Sequence, residues 1–213
     1  MEKLWIYGTG GHATVIVDMI LSLREYEIIG FIDDDQNKAG SYFYKHANVY
    51  TIRDFEEANK ELGVHNMFIS IGDNQTRKRI AEKYSEFNFP IFIHPTAVLG
   101  KFSNIREGSA VMPYAIVESE AKVGRHNIIN NASIIGHGSH LGDFCHVGGG
   151  VVLSGGVTLG DCCLVGVGAC VTPTIKVGNN CKIGSGTVIS KNIPDNVFMF
   201  GNPARQIGNY FKT

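Results

Sequence analysis

From Leu99 to Ile189 every sixth residue is aliphatic: Leu99, Ile105, Val111, Val117, Val123, Ile129, Ile135, Leu141, Val147, Leu153, Leu159, Val165, Val171, Val177, Ile183 and Ile189. No insertion breaks the series. Glycine often follows, as at Gly124 and Gly160, and the residue two places earlier is usually small, as at Ala97, Ser103, Ser109, Ala115 and Ala121. A period of six fits neither the period of about 3.6 of a helix nor the alternation of a simple strand. It is the hexapeptide signature of a parallel β-helix. Each hexad predicts a short strand and a corner, and three hexads close one triangular coil. The aliphatic side chain points inward and the small residue lets the corner turn. About five coils, stacked at about 4.8 Å, predict a prism roughly 25 Å tall. Helices built on this repeat coil left-handedly, an exception to the right-handed rule for parallel crossovers.

Before Leu99 the pattern changes. "KLWIYGTGGHATVIVDMILSL" reads as strand, glycine turn and helix, with Ile16, Met19, Ile20 and Leu23 on one helix face. "YEIIGFIDDD" predicts a second strand, "DFEEANKELG" a helix, "NMFISIG" a third strand and "NQTRKRIAEKYSEF" another helix, after which "FPIFIHP" leads into the prism. The alternation predicts a small Rossmann-like α/β domain over residues 1–92, followed by the left-handed parallel β-helix and a C-terminal tail over residues 93–213. Pro90 and Pro95 flank the change of period.

The formal net charge is -1 and no long charge block occurs, which argues against a nucleic-acid surface or a basic membrane patch. No apolar run is long enough to span a bilayer, so no membrane insertion is expected. The N-terminus "MEKLWIYGTGG" enters a strand without the apolar stretch of a signal peptide. With five cysteines, this predicts reduced thiols and a cytoplasmic location. Cys145, Cys163 and Cys181 occupy the small-residue slot one full coil apart, which predicts a packed column. Cys162 and Cys170 fall in other slots and receive no role.

Two stretches carry candidate chemistry. Gly8-Thr9-Gly10-Gly11-His12-Ala13 fits G-x-G-x-x-[GA], and Asp33 and Asp34 follow about 20 residues on, at the end of the second strand. Glycines there admit close approach of a ligand, and an acid can hold ribose hydroxyls. The unit is half of a full dinucleotide fold, which favours a mononucleotide or a nucleotide joined to a sugar over NAD. Asn74 and Arg77 open the helix after the third strand, either within reach of such a ligand or as a cap and a solvated charge. In the prism, "SIIGHGSHLGDFCHVGGG" sets His137, His140 and His146 among small and aliphatic residues. His140 precedes the inward Leu141 and is expected to point outward. His140 and His146 share a slot on successive faces and therefore diverge, so no metal site is expected.

Taken together, "IYGTGGHA", "FIDDD", "SIGDNQTRKRI", "NIINNASIIGHGSHLGDFCHVG" and "GNPAR" resemble the sugar acyltransferases typified by the bacillosamine N-acetyltransferases and the sialic acid O-acetyltransferases. The resemblance covers nearly the whole chain. It implies a homotrimer with acetyl-CoA in a groove between adjacent prisms and the nucleotide of a nucleotide-linked amino sugar on the α/β domain. It implies His137 as the base with Asn130 as a neighbour, and His146, Gly155, Val167 and Ser185 along the coenzyme A track. It implies Gly8, Gly10, Gly11 and His12 facing the sugar phosphate, and Asp33 and Asp34 at the nucleoside. Most members place an acid beside the catalytic histidine, whereas here both neighbours are glycine, Gly136 and Gly138. Asp143, in the same hexad slot one repeat later, is the candidate to orient the imidazole. The expected activity is transfer of acetyl to a nucleotide-linked 4-amino-4,6-dideoxy sugar for surface glycan synthesis. Sialic acid O-acetylation and a non-catalytic nucleotide-sugar-binding trimer are the alternatives.

Overall fold

The computed structural model describes residues 1–209, so residues 210–213 of the expected second domain lie outside the described residues. The chain divides into two compact units, Met1–Pro90 and Ile91–Thr213. The division falls two residues before the expected one because Phe92 and Ile93 already pair with Ala110 and Val111.

The first unit is a five-stranded sheet flanked by helices. Its elements run β1 (Glu2–Tyr7), α1 (Gly11–Leu23), β2 (Tyr26–Ile32), β3 (Tyr42–Phe43), β4 (Ala47–Tyr50), α2 (Ile52–Leu62), β5 (Met67–Ile69) and α3 (Asn74–Lys83). The sheet order is β3-β4-β2-β1-β5, parallel except for the β3–β4 hairpin. The central strands are apolar on both faces, as a sheet covered on both sides requires. Leu4, Trp5, Ile6, Phe31 and Ile32 are wholly buried with Ile16 and Ile20 of α1. The Trp5 indole N–H donates to Asn59 Oδ1 at 2.9 Å, which satisfies the one polar atom of that ring in the core. The β3–β4 hairpin is absent from the sequence-based expectation. Its turn places Tyr44 and Lys45 at φ +54, the left-handed conformation that glycine or asparagine ordinarily signals.

The second unit is the expected left-handed prism. Two-residue strands stack in three parallel sheets, and each pairing joins residues one coil apart, such as Ile116 with Ile134 and Lys122 with His140. Face A includes Ile128–Ile129 and His146–Val147, face B Ile134–Ile135 and Val152–Leu153, and face C His140–Leu141 and Thr158–Leu159. The hexad aliphatics from Val111 to Ile189 form one continuous buried core. Each such side chain withdrawn from water contributes roughly 1.5–3 kcal/mol, which drives closure of the coils. Cys145, Cys163 and Cys181 are buried in this core, and the Cys145 and Cys163 thiols donate to Gly160 O and Gly178 O, each at 3.0 Å. Face A is extended by Val197–Phe200 and its antiparallel partner Arg205–Asn209.

Candidate active site

In the first unit, β1 ends on a glycine turn that starts α1. Gly8 has φ +105, and a Cβ there would stand 2.7 Å from Ile71 Cγ1, so only glycine fits. Gly10 and Gly11 are exposed, with nothing within 4 Å of a hypothetical Cβ. No side chain caps α1 and no acid stands in its first turn, so the helix presents its N–H groups and positive dipole end. His12, half-buried, is the second residue of that helix.

Asp33 faces this turn. It accepts from Thr9 N–H at 3.1 Å, from the Thr9 hydroxyl and from Lys38 Nζ at 2.9 Å. Burial works to raise its pKa, but the bonds from Thr9, Asp35 N–H and Lys38 outweigh it and hold the group below the usual carboxylate range. Asp34 accepts from the Tyr7 hydroxyl and pairs with Arg79 at 3.6 Å. Beside it opens a cavity of about 340 Å³ lined by Asp34, Gln36, Thr51, Ile52, Arg53 and Glu56. Asn74 and Arg77 depart from a ligand-facing role. Arg77 is 1% exposed, and its guanidinium donates to Ile71 O at 2.8 Å, Gly72 O at 3.1 Å and Asn74 Oδ1 at 2.8 Å. The pair braces the loop after β5 from within.

In the prism, residues one coil apart form columns along the edges. One edge, between faces B and C, carries Ser119, His137 and Gly155: Gly138 N–H donates to Ser119 O at 3.1 Å and Gly156 N–H to His137 O at 2.8 Å. His137 is exposed, and its ring nitrogens make no hydrogen bond among the described residues. The ring stands over Gly155, where a Cβ would come 2.5 Å from Nε2. A second edge, between faces A and B, carries Asn131, Gly149, Val167 and Ser185, with Asn130 beside it. Val167 is 62% exposed. His146 lies on face A between Ile128 and Leu164, and its Nε2 is 3.5 Å from Asn130 Nδ2, at the long limit for a bond. The N–H groups of Gly155, Val167 and Ser185 have no partner among the described residues. The structure therefore brings Gly155 to His137, and Asn130 to His146 rather than to His137 within one chain.

Asp143 does not orient His137. A step of six residues leads to the next corner of the triangle, so Asp143 stands on the third edge. There its carboxylate accepts from Arg125 N–H at 2.7 Å and from the Arg125 guanidinium at 3.0 and 2.8 Å. Below it, Asp161, Asn179 and Asp195 each accept the N–H one coil above, at 2.8, 2.9 and 2.8 Å. This edge is closed by its own side chains. The acid that does reach His137 is Glu118, whose Oε2 accepts the His137 N–H at 2.7 Å. A step of one coil from His137 leads to Ser119, and Glu118 is its chain neighbour, 19 residues before the histidine. His140 is exposed as expected. No group of three or more His, Cys, Asp or Glu suited to a metal occurs among the described residues, and no helix among them is long and apolar enough to cross a membrane.

Comparison with known proteins bears on this arrangement. Residues 3–84 match the PglD N-terminal domain. A stretch of 116 residues is 30% identical to UDP-N-acetylbacillosamine N-acetyltransferase of Bacillus subtilis (strain 168), covering 53% of this chain. That match spans about half the length of the curated Bacillus enzyme. Perosamine N-acetyltransferase from Caulobacter crescentus, solved as a histidine-to-asparagine mutant with CoA and GDP-perosamine, is 30% identical over 98% of each chain, with a TM-score of 0.91. The chain belongs to the sugar N-acetyltransferase family. The acetyltransferase domain of PglB from Neisseria gonorrhoeae FA1090, solved with acetyl coenzyme A, extends the likeness: 31% identity over 97% of this chain and 99% of that one, at a TM-score of 0.88.

Proposed function

We propose that the protein transfers acetyl from acetyl-CoA to the amine of a nucleotide-linked amino sugar, most simply a 4-amino-4,6-dideoxy sugar destined for a surface glycan. The observation that carries this reading is the exposed His137 imidazole, unpartnered and seated on a glycine, beside a free backbone N–H at Gly155. The amine nitrogen attacks the thioester carbonyl, and His137 takes the proton that nitrogen loses as the N–C bond forms. A backbone N–H, that of Gly155, steadies the oxyanion. The C–S bond then breaks and the CoA thiolate leaves, recovering the proton from the imidazolium.

The α/β unit holds the nucleotide. Its exposed Gly10 and Gly11 and uncapped helix suit a phosphate, with His12 adjacent, and Asp33 and Asp34 suit ribose and base. The N–H groups of Val167 and Ser185, with His146, serve the coenzyme. These groups and His137 stand on different edges of one prism. A homotrimer that packs one copy's His137 edge against the next copy's Val167–Ser185 edge would bring both to one groove, and the expected location is the cytoplasm. Free cysteines throughout fit that reducing compartment.

The test is a panel of UDP-, dTDP- and GDP-4-amino sugars and free sialic acid, incubated with acetyl-CoA while thiol release is followed. Turnover is expected with a nucleotide-linked amino sugar and not with sialic acid. His137→Ala is expected to lose about two or more powers of ten in rate. Acetylation of sialic acid alone would reverse the acceptor assignment, and coenzyme binding without any turnover would favour a binding module.

A further inference from the structure

We infer that Glu118 is a positioning residue for acetyl transfer: reaching from one coil earlier, its carboxylate fixes the backbone of His137 and so sets where the imidazole stands. The inference rests on the reading of His137 as the base.

On the Asp143 edge, the corner N–H groups of Arg125, Asp143, Asp161 and Asn179 are each accepted by a side chain one coil further on. His137 occupies the corresponding corner position on its own edge, but the residue one coil further on is Gly155. A side chain at Gly155 would fill the space the imidazole occupies, since even a Cβ stands 2.5 Å from Nε2 and 2.6 Å from Cε1. Seating the ring therefore removes the ordinary acceptor for the His137 N–H. Glu118 supplies one from the opposite side, at 2.7 Å. Its own N–H donates to Ile135 O at 2.9 Å, so the residue grips the turn at two points.

That grip matters because both neighbours of His137 are glycine. Gly138 is at φ +64 with open space around it. Glycine has the widest backbone freedom; ladder bonds hold the Gly136 and Gly138 N–H groups and the His137 carbonyl, and Glu118 holds the remaining group, the His137 N–H. A charged acceptor on a backbone N–H is among the stronger hydrogen bonds available. Glu118 thus does by a contact across coils what side chains next to the base would otherwise do along the chain.

The experiment measures kcat and KM by thiol release, with acetyl-CoA and the accepted sugar, for wild type, Glu118→Ala, Glu118→Gln and His137→Ala. Glu118→Ala is expected to lower kcat about ten- to a hundredfold, the scale of a small misplacement of a reacting group. KM for both substrates stays within about threefold and the melting temperature within a few degrees. Glu118→Gln keeps an acceptor oxygen at the same reach and recovers most of the loss. Should Glu118→Ala fail to fold, Glu118→Met removes the acceptor at equal length. Wild-type kcat in Glu118→Ala overturns the inference, as does a Glu118→Gln no better than Glu118→Ala. His137→Ala separates the two levels: full activity there sinks the base itself, whereas an inactive His137→Ala beside a fully active Glu118→Ala sinks only the positioning role.

Discussion

Gly155→Ala probes the seat of the imidazole directly. Gly155 lies outside the left-handed region, so alanine meets no backbone strain and the substitution tests space alone. The added Cβ would stand 2.5 Å from His137 Nε2, whereas ordinary contact begins at 3.4 Å, so the ring must retreat by 0.9 Å. Because His137 is exposed, it can swing toward solvent at little cost, and the fold is expected to lose no more than about 1 kcal/mol. Catalysis has no such freedom. A base displaced by about 1 Å from the proton it accepts costs on the order of a hundredfold in rate, equivalent to about 2.7 kcal/mol of barrier. Steady-state thiol release with both substrates varied should show kcat falling by that factor and KM for acetyl-CoA changing less. A Gly155→Ala enzyme with wild-type kcat would refute the argument that the imidazole works from this seat.

Asp143→Asn is expected to cost about 1 kcal/mol at pH 7, held to that figure because the Arg125 side chain is 43% exposed. Burial alone would raise the Asp143 pKa, yet the Arg125 bonds pull it below the usual range. Its stabilisation is therefore complete above the ordinary carboxylate value of about 3.9 and fades as pH falls through the lower folded value; thermal melts of wild type and variant should converge there. Gly108→Ala combines φ +68 with a Cβ that overlaps the His126 ring, which itself stacks on Phe144 with centroids 5.0 Å apart. A loss of about 2–4 kcal/mol is expected in denaturant unfolding. Prolonged EDTA treatment should leave kcat unchanged, and metal analysis should find no stoichiometric zinc; loss of activity restored by zinc would overturn the metal-free mechanism.

Asp143 and His137 share a hexad slot, but a shared slot is not nearness. In a triangular coil, equal slots six residues apart lie on different edges. Nearness belongs to residues about one coil apart, such as His137 with Gly155 or with Glu118. Arg77 shows a second limit. At a helix start its charge suggests an outward ligand, but nothing local reveals that three acceptors wait inside the loop.

What the sequence determined by itself is the period. An aliphatic residue at every sixth place has one way to leave water, inside a coil of three short strands, and the glycine turn before α1 likewise has few alternatives. Local sterics and burial act on each residue in its own neighbourhood, and they are written residue by residue. Which side chain accepts which corner N–H was decided only in the folded prism. Those bonds join groups 16 to 19 residues apart in the chain, whose meeting depends on how the coils stack and which columns leave room.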